Sequence, residues 1–292
     1  MSYRLGLYEK SMPGTLSWND KIKRAKEAGF DFLEISIDET DEKLERLNSS
    51  KAERLELVEL MYKSNFKIET MCLSGHRKYP LGSMDSEIRT KGMKIMEKAI
   101  DLASELGITI IQLAGYDVYY EKPNEQTREF FEGNLKKAVE LAAIKGVILG
   151  FETMETEFMN TVEKAMEYVN VINSPYLNVY PDIGNIKNSS LLYNTSVFND
   201  LETGNGKIVA AHLKETTPGI FREVRFGEGH VDFEKNIKKL YSLNVRRFVA
   251  EFWYTGNEDW EEELHYANQF IREKFSDQTG RLVSSYQEEN DG

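Results

Sequence analysis

Five times in this chain a helical pattern stops at a glycine or asparagine and an apolar run begins at once: Gly29–Leu33, Asn65–Glu69, Gly107–Ile111, Gly146–Gly150 and Asn244–Phe248. Glycine and asparagine tolerate the left-handed backbone that closes a helix, so each junction reads as a helix end leading into a strand. Counted this way, strands are expected near Arg4–Tyr8, Phe30–Ser36, Lys67–Leu73, Ile108–Ala114, Val147–Glu152, Leu177–Asp182, Ile208–Lys214 and Arg247–Phe252. Helices are expected near Asp20–Ala28, Ala52–Ser64, Ser86–Leu106, Thr127–Lys145, Thr161–Val171, weakly after Leu191, then at Asp232–Leu243 and Asp259–Lys274. Eight strand–helix alternations imply a parallel sheet, and right-handed crossovers throughout can close it into a (β/α)8 TIM barrel.

An open doubly wound sheet is the alternative, but no glycine-rich dinucleotide loop follows the first strand, where Tyr8, Glu9, Lys10 and Ser11 stand instead. No organic cofactor site is therefore expected. At 292 residues the chain fits one α/β barrel as a single α/β domain, placed at residues 1–276, with the polar stretch 277–292 expected to be a frayed tail.

Composition narrows the function. The formal charge of -12 repels polyanions, so nucleic-acid binding is not expected. No run approaches the length of a membrane span, and the amino terminus lacks a basic start followed by an apolar stretch, so a cytoplasmic location is expected. Cys72 is the single cysteine, which leaves oxygen and imidazole ligands for any metal held within one chain.

Barrel enzymes draw their chemistry from the C-terminal ends of the strands, where all eight converge on one mouth. Four successive strand ends here offer Glu152, Asp182, His212 and Glu251. Each alone is more economically a loop anchor or a hydrogen-bonded core residue. Together they bury three carboxylates in one place, which repulsion and desolvation make costly unless a cation sits among them. Three oxygens and one imidazole suit one divalent ion, Mn, Mg, Co or Zn, and the residues alone do not choose among them, although Zn or Mn is the expected cofactor.

At longer range the chain resembles the L-xylulose/L-ribulose 5-phosphate 3-epimerases of bacterial ascorbate and pentose use, within the xylose-isomerase-like barrel superfamily. The stretches that carry the likeness include Gly6–Lys10, Phe30–Phe32, Asp38–Asp41, Met71–Arg77, Tyr79–Ser83, Ile111–Tyr120, Tyr180–Asn185, Pro218–Phe221, Phe226–Gly229 and Val231–Phe233. The resemblance implies the same four metal ligands that the strand ends suggest. It also implies an isomerase that epimerises C3 of a ketopentose 5-phosphate, L-xylulose 5-phosphate to L-ribulose 5-phosphate, through an enediolate, with a homodimer as its assembly. Relatives acting on unphosphorylated ketoses carry histidine three residues after the metal aspartate and arginine six after the metal histidine; here those positions are Asn185 and Pro218.

Epimerisation removes the proton beside the carbonyl and returns one to the opposite face, so two bases must flank the carbon. A metal chelated by O2 and O3 would stabilise the enediolate, and Glu152 and Glu251 are the expected acid/base pair as well as ligands. A phosphate on the substrate needs donors on this acidic chain, and Lys10, Ser74, His76 and Arg77 are the candidates, whereas Lys78 and Arg225 read as solvated charge. Tyr8, Tyr116, Tyr119, Phe226 and Trp253 are candidates to close around the sugar, and the turn at Gly227–Gly229 could face an anion from a helix N-terminus. Glu34 and Asp38 alternate onto one strand face, with a supporting role expected. Competing functions are an epimerase or isomerase of another ketose or hexulose phosphate, a metal-dependent DNA-repair endonuclease and a non-catalytic binder; the endonuclease is disfavoured by charge and by four scattered histidines, His76, His212, His230 and His265.

Overall fold

The computed structural model describes residues 2–288. Eight strands form one parallel sheet: β1 (Arg4–Tyr8), β2 (Phe32–Ile37), β3 (Lys67–Leu73), β4 (Ile110–Ala114), β5 (Ile148–Glu152), β6 (Leu177–Val179), β7 (Ala211–Leu213) and β8 (Arg247–Ala250). Each pairs with its neighbour in sequence except β6 with β7, and β1 pairs with β8. Single bridges at Val179 with Ile208 and at Asp182 with His212 join the β6 and β7 segments, so the ring closes into a (β/α)8 TIM barrel of one domain.

The helices outside the ring are α1 (Trp18–Glu27), α2 (Asp41–Glu45), α3 (Lys51–Ser64), α4 (Ser86–Leu106), α5 (Glu125–Lys145), α6 (Val162–Ile172), α7 (Ile183–Tyr193), α8 (Val197–Thr203), α9 (Phe233–Ser242) and α10 (Trp260–Glu288). All five junction residues take positive φ, from 50° at Asn65 to 88° at Gly29, as expected of left-handed caps. At the start of α3, Ser50 and Glu53 cap each other's backbone reciprocally, which satisfies two amides that the helix leaves unpaired.

Three expectations are corrected. The weak helix after Leu191 is instead two helices, the first starting at Ile183, because Asp182 is an N-cap that accepts the Asn185 amide at 2.8 Å and ends the strand early. That cap also shortens the sixth strand, and the seventh is reduced to Ala211–Leu213. The short α2 has no counterpart in the sequence reading; Thr40 caps it, and its length gives no periodic signal. Helix α10 is described through Glu288; of the polar tail expected at residues 277–292, residues 289–292 lie outside the described residues.

Two apolar layers follow from strand alternation. Leu5, Leu7, Leu33, Ile35, Met71 and Leu73 point outward into the helices. Tyr8, Phe32, Cys72, Ile110, Tyr180 and Val249 point into the lumen. Phe32 is fully buried across the lower barrel, a burial that contributes about 1.5–3 kcal/mol. Gly6 opposite it is required: a Cβ there would lie 2.3 Å from the Phe32 ring. The pairing of β2 with β3 shifts after Leu33, leaving Glu69 as the extra residue and setting Glu34 opposite Thr70 on the inner face. With hydrocarbon in its lower half, the barrel gathers its buried carboxylates toward the C-terminal mouth.

Candidate active site

Glu152 ends β5, Asp182 follows β6, His212 is central in β7 and Glu251 follows β8. One ligand atom from each lies within 4.8 Å of every other, and all four residues are buried. The structure therefore brings together the four side chains singled out from strand ends.

Glu34, from the far side of the lumen, fixes the imidazole. His212 Nε2 donates to its Oε1 at 2.6 Å, and the Tyr180 hydroxyl donates to its Oε2 at 2.9 Å. That leaves Nδ1 facing Glu152 Oε1 at 3.4 Å and Glu251 Oε2 at 3.2 Å. A carboxylate behind a histidine in this way sets the tautomer for metal ligation. The Gln112 amide holds the other oxygen of Glu152. Asp182 Oδ1 is occupied by its capping bond, whereas Asp182 Oδ2 and Glu251 Oε2 are buried and accept no hydrogen bond of good geometry. The Lys214 ammonium faces both oxygens, at 2.7 and 3.4 Å, beside His212 Nδ1 on Glu251. Unsatisfied inward oxygens beside a preset imidazole nitrogen are the donor set a divalent cation takes, so the residues fit the metal the family implies.

Burial and the Glu251 charge push the Glu152 carboxyl above the usual range. Burial also pushes Asp182 up, to about 8, against the pull of Lys214. Glu251 is buried too, but Lys214 and His212 hold it well below the usual carboxylate range. Burial would lower His212, yet Glu34 and Glu251 raise it well above its ordinary value. The signs give a prediction for chelator-treated protein. A raised Asp182 keeps a proton that the unfolded chain has already lost, and a raised His212 contributes stability that fades as pH climbs through its folded value. Glu251, being depressed, matters only in acid, and His76, pushed down to about 4 by burial, acts only below its ordinary value. Between about pH 7 and 8, below the range where Lys21, pushed down to about 8 by burial, works in the opposite sense, the melting temperature of stripped protein should therefore fall, and metal should flatten the slope. A rising or level profile in stripped protein, followed by circular dichroism, would contradict the charge balance described.

Above the ligands a pocket is lined by Tyr8, Lys10, Ser74, Arg77, Asn185 and Trp253 among others. Of the phosphate candidates, Lys10, Ser74 and Arg77 face it. Lys10 sits in a short turn after β1 and pairs with Asp38, whose carboxyl also takes the Thr40 amide and hydroxyl. Arg77 lies against Tyr119 and Tyr116, its guanidinium 5.0 and 5.8 Å from their ring centres. His76 is not brought there: it is buried, its Nε2 donates to the Gly92 carbonyl at 3.1 Å, and it is absent from the pocket wall. Phe226 packs on Phe233, Phe252 and Phe270 rather than at the mouth. The Gly227–Gly229 turn already has an internal anion, since Gly227 and Val231 donate their amides to buried Glu215.

Residues that the strand-end reading passed over are Gln112, Lys214, Glu155 and Arg222. Lys214 had a signal, lying two residues beyond His212 and so on the same strand face. Glu155 and Arg222 come from loops, where no period reports direction. Glu155 accepts from the Tyr116 and Tyr119 hydroxyls at 2.8 and 3.3 Å and lies 3.9 Å from Arg222.

Fold and site together define the class: residues 22–274 match the xylose isomerase-like TIM barrel family, to which the chain belongs. Within it the relationship is closer. The chain is 42% identical over 273 residues, 93% of its own length and 95% of the other's, to an L-ribulose-5-phosphate 3-epimerase, UlaE, of Shigella boydii serotype 18. The same values hold for the UlaE of Escherichia coli strain SE11, and the chain is a member of this L-ribulose-5-phosphate 3-epimerase family. Among solved structures, an L-ribulose 3-epimerase superposes with a TM-score of 0.78 at 18% identity, covering 97% of this chain and 98% of that one. A D-allulose 3-epimerase from Methylomonas sp. gives 0.76 at 18% identity, covering 94% and 99%. At that identity the two structures speak for the fold.

Proposed function

We infer that this protein is an isomerase that inverts C3 of a ketopentose 5-phosphate, interconverting L-xylulose 5-phosphate and L-ribulose 5-phosphate. The observation that carries it is the closed set of Glu152, Asp182, His212 and Glu251 beneath a pocket rimmed by Lys10 and Arg77, in a chain so similar to enzymes named for this reaction. When bound, a divalent cation would supply Lewis-acid stabilisation of negative charge on the ketose oxygens. The chain's own groups move the proton. Glu152 and Glu251 come from β5 and β8, which bracket β6 and β7, and their environments push their proton affinities apart. Two carboxylates with proton affinities set apart in this way are the arrangement a two-base inversion uses. Tyr8 and Trp253 narrow the pocket and exclude water around the reacting carbon, while Tyr116 lies behind Arg77. We assign Zn or Mn to the ligand set, a cytoplasmic location to the enzyme and a homodimer to its assembly; among the described residues no helix is long and apolar enough to cross a membrane.

Phosphate recognition falls to Lys10, Ser74 and Arg77, with Arg222 lining the same pocket. Replacing Lys10 or Arg77 with Ala should raise KM for L-xylulose 5-phosphate roughly 10- to 100-fold while metal content is retained, because charge-assisted bonds to a phosphate are among the stronger ones. The reaction itself is tested by proton NMR of L-xylulose 5-phosphate with enzyme and added metals in deuterated buffer. Deuterium should enter C3 and the L-ribulose 5-phosphate signals should grow. Exchange at another carbon would replace this assignment, and unchanged KM in both variants would remove the phosphate site from this rim.

A further inference from the structure

The side chain that the ligand set and the proton transfer leave unused is Lys214. It is buried at the end of β7, and its ammonium touches the metal site rather than the solvent. Nothing in the two-base scheme requires it there. Its partners are specific. Asp182 has one oxygen committed to capping α7, so Oδ2 is the oxygen left to coordinate a cation, and Oδ2 is the atom that Lys214 contacts at 2.7 Å. Glu251 Oε2, buried and without a good hydrogen bond, is the second, at 3.4 Å. An ammonium and a divalent ion thus address the same two oxygens.

We propose that Lys214 is an internal competitor of the metal: it neutralises Asp182 and Glu251 and must yield their oxygens when a divalent ion binds, so that it sets the affinity of the site. The inference rests on the metal reading of the site. Four carboxylates, Glu34, Glu152, Asp182 and Glu251, share a buried volume in which, among the described residues, His212 and Lys214 are the partners of opposite charge. Such a group is stable only with its charges paired, and a lysine two residues from the ligating histidine supplies the pairing from within the chain. The cost is borne by the metal, which binds against a like charge. Beyond the carboxylates, Lys214 also lines the pocket and lies 5.8 Å from the Trp253 ring centre, so the displaced ammonium has an aromatic face beside it.

The alternative role, an ammonium that merely orients two ligands, predicts the opposite sign. Wild type and the Lys214→Met, Lys214→Gln and Lys214→Arg variants would be stripped with chelator and titrated with manganese by calorimetry in mildly alkaline buffer. Circular dichroism would monitor the fold. The Met and Gln variants are expected to bind manganese roughly tenfold or more tightly than wild type, and the Arg variant to stay near wild type. Stripped Met variant should also melt lower than stripped wild type and gain more on adding manganese. If the stripped Met variant does not fold, chelator competition against metal-loaded protein reads the same affinity ratio. Folded Met and Gln variants that bind manganese as weakly as wild type, or more weakly, overturn the competition while leaving the metal site intact. Wild type that binds no divalent ion removes the metal reading and this inference with it.

Discussion

Glu152→Gln should lower turnover of L-xylulose 5-phosphate by about 10³- to 10⁴-fold, because it removes a proton-transfer group and exchanges a ligand charge for a neutral amide. The substitution is nearly isosteric, and the loss should appear in kcat rather than in folding. Gln112 donates to Glu152 and would still find an acceptor in the new amide oxygen, so the local packing is preserved. Exchange of the C3 proton with solvent should fall in step with turnover. Activity within tenfold of wild type would take Glu152 out of the chemistry. The same change at Glu251 should be comparably severe, with an added effect on Lys214, which would lose one of its two carboxylate contacts.

Removing the metal should be as damaging to activity and also visible in stability. Dialysis against a chelator is expected to reduce activity by at least about 10³-fold, since the ketose oxygens then lack the electrophile that stabilises developing charge. Readdition of manganese or zinc should restore it. Without a divalent ion, the buried carboxylates depend on Lys214 and His212 alone, and leaving buried charge short of its partner costs on the order of 3–5 kcal/mol. The melting temperature of the stripped protein should drop by several degrees and recover on reloading. Full activity after exhaustive chelation, with metal verified absent by elemental analysis, would exclude a metal-dependent reaction.

Much of this site was legible before folding. Glu152, Asp182, His212 and Glu251 were recognisable because strand ends in a closed parallel barrel must meet at one mouth, so position in the repeat substitutes for coordinates. The alternation of Glu34 and Asp38 placed both on one strand face, and both are found supporting a neighbour, Glu34 the ligating histidine and Asp38 the lysine at the pocket rim. Loops were another matter. His76 and Arg77 are adjacent in sequence, yet one bonds to the Gly92 carbonyl and the other faces the pocket. Both lie in one short 3-10 turn whose geometry is set by what packs beneath it, and residue type alone does not reveal it.

The sequence by itself determined the alternation of strands and helices, the capped junctions between them and the side of each strand that turns inward, because these depend on local backbone preference and on a period of two. Only the tertiary structure decided which inward residues become partners. Glu34 and His212 are 178 positions apart, and Tyr180 reaches Glu34 across 146. Their meeting depends on the ring closing and on the shift in β2 pairing that sets the height of Glu34, and Lys214 reaches its two oxygens for the same reason. A local pattern gives each side chain a direction, while contact across the lumen is fixed by the radius and stagger of the whole barrel.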